Sequence, residues 1–188
     1  MSGSITVGGK TLASHDNGTG NLSLNNNVQF PAGHVIQTTQ NTYNSLSSAN
    51  STTSTPAKCV DGSGNNHWKH TISGMTAGND VLVQMNFILY TYKAIYYNGG
   101  AAHIYRDNDL IYTGHASSTF IQAYNNTASY RPSEITHQVY TSLIFLDEGA
   151  TAISHSYYLG ISGNNGIVRV ESASNLPPYV CILQEISK

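Results

Sequence analysis

Apolar and polar residues alternate along the longest hydrophobic stretch of the chain, residues 81–92. One face of this stretch receives Val81, Val83, Met85, Phe87 and Leu89. The other face receives Gln84, Asn86, Tyr90 and Tyr92. A period of two predicts a half-buried strand. Because subunit interfaces are poor in charge and rich in Tyr, the uncharged second face fits a surface covered by another subunit, and a Tyr-rich face open to water is the alternative.

From residue 34 onward the chain reads as strands separated by turn residues. The predicted strands are 34–39, 68–72, 81–92, 102–106, 110–113, 119–124, 136–146, 151–161, 167–171 and 179–186. Asn164-Asn165-Gly166 and Asp107-Asn108-Asp109 are predicted to form the turns of two hairpins. Many short strands at regular spacing, without helical periodicity, predict an all-β fold: an antiparallel, jelly-roll-like β-sandwich.

Residues 1–33 differ from the rest of the chain because apolar residues are sparse among Gly, Asn, Ser and Thr. Such a segment cannot close a core alone, so it is either disordered or an extended N-terminal arm packed against sister chains. The spaced Leu22, Leu24, Val28 and Phe30 favour the arm. The sequence therefore predicts an arm over 1–33 and a knob domain over 34–188, with an exposed Ser/Thr/Asn-rich loop at 40–56.

Charge excludes several classes of protein. Only 10% of the 188 residues are charged and the formal net charge is −2, whereas an average soluble domain has about 25% charged residues. Coiled coils and helix bundles need charged outer faces, and nucleic-acid or acidic-membrane binding needs a basic patch. The most apolar stretch is interrupted by Gln84, Asn86, Thr91 and Lys93, so membrane insertion is not expected.

The candidate metal ligands do not form a site. His67 and His70 are three residues apart on a predicted strand, where such positions point to opposite faces. His34 could join its copies around a three-fold axis and hold an ion, but an ordinary packed His is favoured. Asp107-Asn108-Asp109 lacks the Gly and Glu that complete a calcium loop. No metal and no cofactor are predicted.

Candidate catalytic residues are equally weak. Adjacent Asp147 and Glu148 at a strand end are typical of a solvated turn rather than of a glycosidase acid pair. No nucleophile elbow or phosphate loop occurs. Cys59 and Cys181 lack a CxxC spacing and are predicted to be buried free thiols, with a disulfide as the alternative if the particle matures outside a reducing cytosol. The chain is therefore not expected to be an enzyme.

Three segments carry a family resemblance: VQFPAGHVIQ at 28–37, ISGMTAGNDVLV at 72–83, and YYLGISGNNG at 157–166, followed by LQEI at 183–186. In order and spacing they resemble C-terminal knob modules of tail fibres of bacteriophages, especially marine ones. The resemblance implies a homotrimeric β-sandwich knob at the end of a fibre, preceded by an intertwined stalk. It implies no catalytic residues.

The end of the sandwich opposite the arm is expected to bind the host. If every predicted strand crosses the domain once, turns 74–79, 107–109, 125–135 and 163–166 lie at the arm end, and connections 40–67, 93–101, 114–118, 147–150 and 172–178 lie at the opposite end. The predicted receptor-binding residues are Tyr96, Tyr97, Asn98, His115 and Asn175, since rigid rings and amides suit glycans. The predicted subunit or base contacts are Leu22, Leu24, Phe30, Tyr124, Asn125, Tyr130 and Arg131.

These inferences lead to a hypothesis for function. The chain is expected to be a non-enzymatic virion structural protein: a homotrimeric tail-fibre tip that binds a host surface receptor, such as a glycan, and contacts other virion proteins. The main alternative is a trimeric capsid decoration protein, or head fibre. A lectin-like glycan-binding domain or a glycan-active enzyme is a further alternative. Assembly in the host cytoplasm and residence in the virion follow from the hypothesis.

Overall fold

The computed structural model describes residues 3–7, 9–15, 22–24, 31–43, 46–51, 54–60, 68–92, 98–113, 121–123, 137–164, 167–172 and 178–188. Its strands are β1 Gly3–Val7, β2 Lys10–His15, β3 Leu22–Leu24, β4 Val35–Tyr43, β5 Leu46–Ser51, β6 Ala57–Lys58, β7 Lys69–Ser73, β8 Asp80–Tyr92, β9 Asn98–Arg106, β10 Asp109–Thr113, β11 Ile121–Ala123, β12 His137–Asp147, β13 Ser154–Asn164, β14 Ile167–Ser172 and β15 Tyr179–Ile186. In this part of the chain no helix is long and apolar enough to cross a membrane.

Two six-stranded antiparallel sheets form the body of the molecule. Sheet I contains β4, β5, β8, β12, β14 and β15, and sheet II contains β6, β7, β9, β10, β11 and β13. In sheet I the central strand β8 pairs with β12 along one edge and with β15 and then β14 along the other. In sheet II, β9 and β13 pair with each other in the centre.

Several strands are pieces of one longer strand. β10 and β11 follow one another along the same edge of β9, β6 and β7 along β13, and β14 and β15 along β8. β4 and β5 do the same beside β15 and β14. If each such pair is counted as one strand, the two sheets contain eight strands. Numbered 1 to 8 in chain order, they are β4/β5, β6/β7, β8, β9, β10/β11, β12, β13 and β14/β15. The strand order is then 1-8-3-6 in sheet I and 5-4-7-2 in sheet II. The predicted jelly-roll-like sandwich is confirmed.

The core lies between the two sheets. The alternating residues of β8 predicted to face inward are all buried there, and they meet Trp68, Ile104, Tyr157 and Leu159 from the side of sheet II. The sheets approach closely at Gly100, where an added Cβ would lie 2.4 Å from a methyl carbon of Val168. Both thiols, Cys59 and Cys181, are free and buried in this core, as predicted.

The N-terminal segment joins the sandwich at one end, which we call the proximal end. Gly33 donates its N–H to the Ser187 carbonyl (2.8 Å), Ser187 donates its N–H to the His34 carbonyl (2.8 Å), and the Ser187 hydroxyl donates to the Pro31 carbonyl. The opposite, distal end is where β8 ends and β9 begins. Before residue 31, β1, β2 and β3 form a three-stranded antiparallel sheet of their own.

Three sequence expectations were wrong. The 40–56 stretch is not a loop throughout, because β4 reaches Tyr43 and β5 covers 46–51, with Thr and Asn in ladder positions beside β15 and β14. Asn164-Asn165-Gly166 does not close a hairpin, because β13 and β14 belong to different sheets. The 107–109 hairpin is confirmed, and Asp107 has the positive φ, 51°, that such a turn accommodates.

The third error concerns the ends. The assignment of connections to the two ends assumed that the predicted strands 110–113 and 119–124 each cross the domain, but β10 and β11 together cross it once. The 125–135, 147–150 and 163–166 connections therefore change end, whereas 114–118 and 172–178 fall within single crossings, between β10 and β11 and between β14 and β15. The 147–150 connection is proximal, because Asp147 pairs with Val81, and the 165–166 connection is distal, because Ile167 pairs with Tyr92.

Candidate functional site

The proximal end is closed by a partly buried ion pair between the sheets. Arg106 of sheet II donates to Asp147 of sheet I, with Nη1 2.8 Å from Oδ1 and 3.0 Å from Oδ2. Asp147 also accepts the Tyr157 hydroxyl (2.8 Å) and the Gly149 N–H (3.1 Å). Burial, and then the adjacent Asp147 carboxylate, raise the pKa of Tyr157. The satisfied carboxylate holds the two sheets together at this end.

A second carboxylate at the proximal end is held by amides. Glu185, which is buried, accepts hydrogen bonds from Gln37 Nε2 (2.7 Å), the Thr76 N–H (2.8 Å) and Asn79 Nδ2 (2.7 Å). Glu185 and Asp147 flank Val81 on the two sides of β8. These bonds tie the 74–79 turn to the last strand.

The nearest arrangement to a catalytic dyad is Asp107 with His155. Their Oδ2 and Nδ1 atoms are 2.7 Å apart, while His155 Nε2 accepts the Ala152 N–H at 3.1 Å. Partial burial acts to raise the pKa of Asp107, but hydrogen bonds from the Ser156 N–H and from His155 outweigh it, so that the pKa is lowered. Since both ring nitrogens are engaged within the fold, His155 is built as a structural group.

Among the predicted receptor-binding residues, only Tyr96, Tyr97 and Asn98 belong to a connection whose flanks lie at the distal end. The expectation for His115 and Asn175 was wrong, because the strands that flank them, β10 and β11 or β14 and β15, are pieces of one crossing and meet along a sheet rather than at an end. Asn98 starts β9 and pairs with Ala123. Tyr96, Tyr97, His115 and Asn175 lie outside the described residues. The 93–97 connection leaves Tyr92 and returns at Asn98, so both of its flanks lie at the end opposite the N-terminal segment.

The predicted subunit contacts also fall largely outside the described part of the chain. Leu22 and Leu24 lie in β3, paired with His15 and Ala13. Phe30, Tyr124, Asn125, Tyr130 and Arg131 are not among the described residues. The strands that flank the last four end distally, because Ala123 pairs with Asn98 and His137 with Thr91.

The outer surface of sheet I is the second candidate site. Outward residues of β4, β15, β8 and β12 stand side by side in three registered rows and a fourth partial one. We call this grid the uncharged face: Thr38, Gln184, Leu82 and Leu146; Gln40, Ile182, Gln84 and Ile144; Thr42, Val180, Asn86 and Ser142; and Ile88 with Tyr140. Tyr140, Ile144 and Leu146 are 55%, 64% and 42% exposed.

Sequence reasoning found only part of this face. The alternation in β8 indicated Gln84 and Asn86 as members of an uncharged outer surface. The sequence of β12 alternates in the same way and could have identified its outward residues: Tyr140, Ser142, Ile144 and Leu146 alternate with the inward Thr141, Leu143 and Phe145. The contributions of β4 and β15 require the strand order.

No described residues form a metal site: groups of three or more His, Cys, Asp or Glu with suitable geometry are absent from the described part of the chain. His34 has an exposed side chain, and its backbone N–H bonds to the Pro31 carbonyl (3.2 Å). Burial raises the pKa of both thiols, that of Cys181 to about 12, so neither is a ready nucleophile.

No protein-family model and no curated protein matches the chain. Among solved structures it is similar to a structure of the infectious bursal disease virus Gx strain, with 11% identity, a TM-score of 0.34, and coverage of 88% of this chain and 42% of that chain. It is also similar to a mutant VP2 protein of infectious bursal disease virus from derived T=1 particles, with 13% identity, a TM-score of 0.29, and coverage of 88% and 40%. The chain thus spans less than half the length of either, and its fold assignment rests on its own sheets.

Proposed function

We propose that the chain is a non-enzymatic virion structural protein, the receptor-binding module at the tip of a bacteriophage tail fibre. It acts as a homotrimer that attaches the particle to the host surface. Jelly rolls serve viral capsids, lectins and enzymes alike, so the fold alone does not select this function. The proposal draws on the tail-fibre resemblance in the sequence and on the division of the sandwich into two different ends.

The different construction of the two ends carries the proposal. The proximal end receives the N-terminal segment and is closed by Asp147, Glu185 and their partners. The distal end is where β8, β11 and β13 end and where β9, β12 and β14 begin. A module anchored at one end and carrying connections with Tyr and Asn at the other suits attachment to a polar surface.

Binding of the purified protein to host cells tests this function. The double variant Tyr96→Ala with Tyr97→Ala should lose most of the binding, because two aromatic side chains would leave the contact surface. The matched control is Val35→Ala with Ile153→Ala, which removes two exposed apolar side chains near the proximal end. Binding that survives the Tyr changes, or is lost equally in the control, would contradict the assignment of the distal end.

Labelling of the protein on intact particles locates it in the virion. A gold- or antibody-label at the end of the tail is the expected result. Label distributed over the capsid would instead assign the chain to head decoration.

A further inference from the structure

We propose that the uncharged face is the surface through which copies of this chain bind one another. The inference deepens the proposed homotrimer by naming its contact surface, and it rests on that part of the proposed function. Its basis is the placement of four strands in register, which brings together residues that are distant in sequence.

The first observation is the contrast between the face and its borders. Within the grid, no position is Asp, Glu, Lys or Arg. At the proximal border, Lys188 pairs with Asp80 (Nζ to Oδ1, 2.8 Å) and reaches the Glu148 carbonyl (3.1 Å). At the distal border, Arg169 of β14 stands beside Tyr90. An uncharged centre with a charged rim is the anatomy of a protein interface.

The second observation is the exposure of apolar side chains on β12. Tyr140, Ile144 and Leu146 project from a strand that pairs in register with β8 over its whole length, without a bulge. Within the described residues, β12 contains neither Pro nor Lys, the residues that commonly protect an edge strand from association. The strand therefore presents an exposed, largely apolar surface.

Charge decides which partner fits. A charged partner surface would lose its hydration against this face and meet no counter-ion, which is costly. Two pairs of polar side chains on the face already bond within the single chain: Gln184 donates to Thr38 (3.2 Å) and Gln40 donates to Thr42 (3.2 Å). Covering them therefore leaves those bonds intact. An uncharged surface of a second copy, meeting this face around a three-fold axis, satisfies both requirements, so the occupant is another copy of this chain.

The experiment compares two isoleucines of equal exposure. Ile144, in the uncharged face, and Ile153, in the turn before β13, are each 64% exposed. The variants Ile144→Lys and Ile153→Lys of the full chain add the same charge at the two positions. Their mass is measured by sedimentation across the micromolar range, together with the wild-type protein, and thermal unfolding verifies that each variant is folded.

The wild-type protein and Ile153→Lys should assemble at the same concentration. Ile144→Lys should need a concentration roughly 100-fold higher or more, because each assembled copy would bury an unpaired ammonium. Assembly of Ile144→Lys at the wild-type concentration overturns the inference, as does equal weakening in both variants.

A wild-type protein that stays monomeric also overturns the inference, because then a copy of this chain is not the occupant. Host-cell binding is read separately. If the wild-type protein assembles and binds cells, and Ile144→Lys assembles equally well, only the assignment of the contact surface is wrong. If the wild-type protein does not bind host cells, the proposed attachment function is wrong, whatever its oligomeric state.

Discussion

The two outer surfaces of the sandwich are built in different ways. On sheet II, long side chains lie across the sheet: Tyr105 packs over Gly160, and the Lys58 ammonium stands 4.1 Å from the centre of the Tyr158 ring. Lys58 also bonds to the Asp107 carbonyl and to Asn108 Oδ1 (3.1 Å). On sheet I, the contacts of the described residues show no long side chain lying across the uncharged face in this way; Ile88 is buried, and Ile144 and Tyr140 stay exposed. The surface of sheet II is thus covered in part by side chains of the same chain, whereas on sheet I large apolar side chains of β12 remain exposed.

Low pH should give the largest difference between the two surfaces, because it should destabilise the outer side of sheet II and leave the uncharged face unaffected. On the outer side of sheet II, His103 is 1% exposed, its Nε2 is 2.9 Å from Ser162 Oγ, and its Nδ1 has no hydrogen-bond partner in the described part of the chain. Burial lowers the pKa of His103 to about 4. Between that value and about 6.5 the unfolded chain binds more protons, so stability falls as the pH falls.

The expected loss from His103 is about 3 kcal/mol of unfolding free energy by pH 4. Denaturant unfolding at a series of pH values measures it. Burial also lowers the pKa of His70. The unfolding free energy of a His103→Gln variant should therefore still fall as the pH falls, but less steeply than that of the wild-type protein. The uncharged face contains no group that titrates in this range, so assembly should not weaken before unfolding begins. If the unfolding free energy of His103→Gln depends on pH as steeply as that of the wild-type protein, His103 is not the titrating group.

A smaller effect should come from filling the glycine beneath Tyr105. A Cβ at Gly160 would lie 2.6 Å from a Tyr105 ring carbon and 3.0 Å from the Ala57 carbonyl oxygen. Gly160→Val should therefore cost about 1–3 kcal/mol of monomer stability. Ser142→Val, on the uncharged face, should change the stability of the monomer by less than about 0.5 kcal/mol. Equal costs in urea unfolding would mean that the two surfaces contribute alike to the single chain.

The smallest effect concerns the lysine over Tyr158. Lys58→Ala removes its cation–π contact and its bonds to the 107–108 turn, and should cost about 1 kcal/mol. Gln84→Ala, at a central position of the uncharged face, should leave monomer stability within about 0.5 kcal/mol while weakening assembly. Urea midpoints and sedimentation, measured on the same samples, separate these two effects. A Gln84→Ala protein that loses stability but assembles normally would reverse the comparison.

Sequence patterns predicted the fold class because short strand-like runs recur at regular spacing and the longest of them, β8, alternates over most of its length, and alternation reports burial. They failed where one long strand is broken. Nothing local distinguishes the 110–113 and 119–124 runs as pieces of one crossing, since the distinction lies in their shared partner β9. The same limit explains the 164–166 error: an Asn-Gly turn suits a hairpin, but whether the chain returns to the same sheet depends on distant strands.

The candidate site was predictable to a similar degree. Gln84 and Asn86 were recognised as an uncharged outer surface from β8 alone. Ile182 and Val180 join them only because β15, the last strand of the chain, inserts between β4 and β8. A sequence of apolar and polar residues reports which face a residue occupies, but the neighbour across the ladder is set by strand order.

Hydroxyl-radical labelling of the wild-type protein at assembling concentrations tests the central claim, that the uncharged face is covered by copies of the chain. Ile144 and Ile153 are equally exposed in the single chain, at 64%, so each serves as the other's reference. If the face is covered, Ile144 should be oxidised several-fold more slowly than Ile153, with Tyr140 and Leu146 protected alongside it. Equal rates at Ile144 and Ile153 would contradict the account.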